Sequence, residues 1–76
     1  MATDIPIPQD LIDLQRQHTA AVAATKTAAR AGEDIEGPMA EERRLALALD
    51  ARRKGTPWAA WDQQMRVRDA AAEIDG

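Results

Sequence analysis

The single imidazole of the chain, His18, sits in LQRQHTAAV. Imidazole titrates near neutrality, so this is the first residue to weigh as a general base. A base of that kind needs a nucleophile to activate. The chain has no serine and no cysteine, and no threonine stands at a useful spacing from His18. One histidine without cysteines cannot assemble a usual zinc site. Glu33, Asp34 and Glu36 crowd into GEDIEG, but their spacing is not that of an EF-hand calcium loop. The glycines Gly32, Gly37, Gly55 and Gly76 are too scattered to cradle a phosphate. These residues imply a non-enzymatic protein with no cofactor, no metal and no small-molecule substrate, in which His18 is a packed or edge residue of a helix.

Recognition chemistry is better represented. Trp58 and Trp61, at i and i+3, are the only aromatic residues. Tryptophan and arginine are the types enriched at protein–protein hot spots. Leu47, Trp58, Trp61, Met65 and Arg68 therefore form a candidate partner-binding patch, with a second copy of the chain or another protein as the partner.

The elements that must position these residues are helical. The chain has 76 residues, enough for one domain. Alanine is its commonest residue, Phe and Tyr are absent, and no β-branched run occurs. The predicted fold is all-α: an antiparallel helical hairpin plus a third helix, a three-helix bundle open to dimerisation. Residues 1–7 form an extended tail, with Ile5 and Ile7 held extended by the prolines that follow them, Pro6 and Pro8, and either disordered or folded back over the end of the bundle; 8–76 form one helical domain. Helix 1 is expected over about 8–31, with Leu11, Leu14, His18, Ala21, Val22, Thr25, Ala28 and Ala29 on one stripe and Gly32 as its C-terminal cap. After the Gly32–Gly37 linker, with Ile35 plugging the hairpin end, helix 2 is expected over about 38–54. Its Leu45 and Leu49 share a face, and Leu47 points the other way. Thr56 and Pro57 open helix 3, expected over about 57–74, which carries Trp58, Trp61, Met65 and Ala72 on its larger apolar face and Val67, Ala71 and Ile74 on another.

Two apolar faces on each of helices 2 and 3 are more than one small core needs. A core of this size leaves roughly 3–5 kcal/mol of net stability. With no disulfide available, self-association as a homodimer is the expected supplement. No apolar run is long enough to span a membrane, and the N-terminus lacks the pattern of a signal peptide, so a cytoplasmic location is expected. The net charge of −3 is a poor match to the basic excess of duplex-binding domains.

Two resemblances add to this reading. PQDLIDLQRQ, with the Ala-rich and charged helices after it, resembles small uncharacterised helical proteins of actinobacteria, which implies a helical hairpin and no known activity. Residues 52–72 also resemble the helix-turn-helix of bacterial DNA-binding proteins. Gly55 and Thr56 match its entry, and Trp61, Met65 and Val67 stand at its apolar positions. That resemblance implies an alternative nucleic-acid surface of Arg52, Arg53, Lys54, Arg66 and Arg68. It places Arg66 at a turn usually held by glycine, and residues 57–74 contain no helix breaker, so one continuous helix is expected there.

Overall fold

The computed structural model describes residues 5–75 and contains three α-helices, with no strand among those residues. The first, α1, spans Gln9–Ala31; α2 spans Glu36–Arg53; α3 spans Trp61–Asp75; a short 3-10 turn, Pro57–Ala59, precedes α3. The fold is the expected all-α bundle. Of the expected tail, Met1–Asp4 lie outside the described residues, as does Gly76 at the other end.

Both ends of the α1–α2 hairpin follow from local chemistry. Gly32 closes α1 at φ 72°, a left-handed conformation that glycine adopts without strain. The Glu33 N–H then turns back to the Ala28 carbonyl at 2.9 Å, completing the cap. Helix α2 begins at Glu36, two residues before the expected Pro38. The Asp34 carboxylate accepts the Glu36 N–H at 3.0 Å, and Pro38 falls in the first turn, where a missing N–H costs no helical bond. The antiparallel register is fixed at two heights: Arg52 reaches Asp10 near the base, and the Thr25 hydroxyl meets the Glu42 carboxylate higher up.

Both α2 and α3 pack on α1, and among the described residues their own backbones stay further apart, meeting only through side chains. The core lies where they converge: Leu11 of α1, Leu49 of α2, Trp58 of the 3-10 turn and Val67 of α3, with Ile7 and Leu14 packed against them. Ile7 thus folds back onto the bundle. Its neighbour Ile5 is held through its carbonyl, which accepts from Arg66 Nη2 at 3.0 Å.

The expected continuous helix over 57–74 is interrupted. Ala60 is extended, with ψ 142°, between the 3-10 turn and α3. The reason lies in packing. Nine residues separate Trp58 from Val67, which in one α-helix places them on opposite sides, about 180° apart. Both cannot enter one core unless the chain breaks between them. The break is well supplied with partners. The Thr56 hydroxyl oxygen accepts the Trp58 N–H at 3.2 Å, and Gln64 Nε2 donates to the Ala59 carbonyl at 2.8 Å.

The interruption also separates the tryptophans and reverses the expected inner face of α3. Trp58 is 4% exposed and Trp61 70%. Val67 and Ala71 are buried, while Ala72, expected beside the tryptophans, is exposed. Truncating Trp58 therefore removes core volume, and truncating Trp61 does not. Trp58→Ala should cost about 3–5 kcal/mol and leave the chain largely unfolded, whereas Trp61→Ala should change stability by less than about 0.5 kcal/mol. Urea unfolding followed by circular dichroism checks both, and equal costs would contradict this split.

Candidate functional site

The five residues of the expected partner-binding patch do not form one surface. Trp58 is in the core, while Trp61 and Arg68 are exposed and Met65 is half-buried. Leu47 is 66% exposed, on the side of α2 opposite the buried Leu45 and Leu49. Two separate outer faces result. On α3, Trp61, Met65, Arg68 and Ala72 recur at intervals of four, three and four residues, one continuous stripe by helical geometry. Its edge carries Asp62 and Asp69, both exposed. On α2, Leu47 is accompanied by Ala40 and Ala51, with Arg43 and Arg44 alongside and Lys54 just past the helix end; all are exposed. Ile74, on a third side of α3, is 53% exposed.

Between α2 and α3, above α1, lies a cleft of about 210 Å³. Its lining includes Gln15 and His18 from α1, Asp50 and Arg53 from α2, and Gln64 and Arg68 from α3. His18, expected on the inner stripe of α1, is half-buried at this edge. The lining offers amides, guanidiniums, one imidazole and one carboxylate, but no hydroxyl. Among the described residues, no group of three or more His, Asp or Glu side chains stands close enough to hold a metal ion.

Sequence reasoning missed the polar pin beneath this cleft. Gln15 is buried, and its side-chain oxygen accepts from Arg53 Nη2 at 3.5 Å, while Arg53 Nη1 donates to Gln64 Oε1 at 3.2 Å. The guanidinium thus joins all three helices. The signal for Gln15 was its place one turn beyond Leu11, on the same inward stripe, masked by its polar type.

The residues expected to contact nucleic acid are also dispersed. Arg52 is paired with Asp10, and Arg53 with the two glutamines. Arg66 spans from the Ile5 carbonyl to a position over the Trp58 ring, 5.6 Å from its centre, a cation–π contact. The turn that the helix-turn-helix resemblance requires at Arg66 falls inside unbroken α3. Lys54 and Arg68 remain exposed.

No protein-family model, curated protein or solved structure matches the chain. The two resemblances therefore rest on their residues alone.

The Arg52–Asp10 pair ties the helix ends and is sensitive to pH. The hydrogen bond from Arg52 holds the Asp10 carboxyl below the usual carboxylate range, and Arg44 does the same to Glu41. A folded-state value below the unfolded one means that each pair contributes stability above the unfolded value, about pH 4. That contribution disappears as pH falls through the folded value. Both pairs are exposed, so the effect is small and weakened by salt. In denaturant titrations, Asp10→Asn should flatten part of the loss of stability below about pH 4. A variant with the wild-type acid slope would mean that the pair does not persist in solution.

Proposed function

We propose that this protein works non-enzymatically through protein–protein contact, first of all with a second copy of itself. The observation that carries the reading is Trp61, 70% exposed on an α3 stripe that also holds Met65. A tryptophan is a costly residue to leave in water, since covering it would remove a large apolar area from solvent. Leu47 and Ile74 add two more large apolar side chains outside the core. Scattered single exposures are ordinary on protein surfaces, but a repeating helical stripe is the form that helix-mediated recognition takes.

Sedimentation velocity across a concentration series tests this reading. The mass should rise from one chain toward two, and Trp61→Ala should hold it at one chain without loss of helix. A wild-type protein that stays at one chain at the highest attainable concentration ends the self-association reading. The nucleic-acid alternative is tested separately by titrating duplex DNA at low and moderate salt. It predicts a steep salt slope, with affinity abolished by Arg52→Ala.

A further inference from the structure

The cleft between α2 and α3 gathers positive charge that the fold does not neutralise. Arg53 is the more enclosed of its two arginines, with its side chain 13% exposed. It is held by the amide oxygens of Gln15 and Gln64, at 3.5 and 3.2 Å, neither of which carries charge. A guanidinium has five N–H donors, and these two bonds leave the others unused. The one carboxylate of the lining, Asp50, stands 3.9 Å from Arg53 Nη1, beyond hydrogen-bond reach, and its side chain is 76% exposed. Arg68 lines the same cleft from α3 and makes no hydrogen bond or ion pair among the described residues. His18, on the α1 side, is likewise unpartnered. The lining thus sets two guanidiniums against one carboxylate, in a chain whose net charge is −3.

We infer that this cleft binds a small oxyanion, a phosphate or carboxylate group held between Arg53 and Arg68 with His18 beside it. The inference is independent of the self-association proposed above. A guanidinium fork matches both anions, and its charge-assisted hydrogen bonds are the strong ones. Arg53 is already fixed for the task. Gln15 Nε2 donates to Thr19 Oγ1 at 3.3 Å and Gln64 Nε2 to the Ala59 carbonyl, so both amide oxygens are turned toward the guanidinium. A side chain ordered before binding loses little further freedom when the anion arrives. The cleft, about 210 Å³, is smaller than the pockets of drug-sized ligands, which begin at about 300 Å³, and suits a free ion or the acidic end of a small metabolite. Two carboxylates work against the anion. Asp50 does so from the rim. Past His18 and Ala46 the groove continues to Glu42, which already accepts the Thr25 hydroxyl, so that end is left to other chemistry.

Titrations with inorganic phosphate and with acetate, at constant ionic strength and followed by NMR of isotope-labelled protein, provide the test. At least one of the two should give saturable shifts centred on the Arg53, Arg68 and Gln64 side-chain signals, and the tighter of the two names the anion. Arg68 is exposed and unpartnered, so Arg68→Gln should keep the helical circular dichroism of the parent and bind at least about tenfold more weakly. Asp50→Asn, which removes the opposing charge, should bind roughly threefold more tightly. Arg30→Gln makes the same change of net charge in the last turn of α1, about 18 Å along the helix from His18, and should leave the affinity unchanged. Shifts that do not saturate with either anion overturn the site. So does an Arg68→Gln affinity equal to wild type, or an equal loss in Arg30→Gln, which would reduce the effect to overall charge.

Discussion

Burial of Trp58 against Leu11, Leu49 and Val67 is the constraint on which the arrangement of this chain depends. The chain is rich in alanine, and one indole supplies much of the bulk available to its core. Val67 must reach the same place from α3, and helical geometry forbids both in one uninterrupted helix. The extended Ala60 resolves the conflict. Once the chain turns there, Gln64 is positioned to satisfy the Ala59 carbonyl and to receive Arg53, and Arg66 lies over the buried ring while holding the Ile5 carbonyl. The turn and the docked N-terminal segment thus meet around one buried side chain, and Gln64 links the turn to the polar pin.

That same turn creates the outer surface. With Val67 and Ala71 facing inward, the Trp61–Met65–Arg68–Ala72 stripe lies on a different side of α3. Because α2 and α3 share α1 as a common support and meet each other only through side chains such as Arg53 and Gln64, each also keeps an outer face. Leu47 occupies one and Trp61 the other. The proposed recognition therefore follows from how the core is satisfied, since the inward side of each helix determines which side chains remain outside.

Much of the architecture was legible in the residues. Gly32 and Gly55 mark real helix ends at positive φ, and of the expected α1 stripe Leu11, Ala21 and Ala28 are buried, Leu14, His18, Val22 and Thr25 half-buried, and Ala29 exposed. The opposed directions of Leu47 and the Leu45–Leu49 pair were also correctly read. The start of α2 was misplaced because Gly37 and Pro38 look like loop residues, although the first helical turn tolerates both. The interruption at Ala60 was missed because alanine favours helix. Only the simultaneous demand of Trp58 and Val67 for one core overrides that local preference, and such a demand is a property of the tertiary fold. The candidate patch was read as one surface for the same reason: its two indoles share a face only if the helix continues.

The contrasting environments of Trp58 and Trp61 make the molecule its own optical reporter. An indole enclosed by Leu11, Leu49 and Val67 emits at shorter wavelength and is shielded from collisional quenchers, while an indole in water emits further to the red and is readily quenched. No tyrosine contributes to the signal. Loss of the core and coverage of the outer stripe would therefore move the two emissions in opposite directions, so unfolding and docking can be distinguished spectroscopically without attaching a dye.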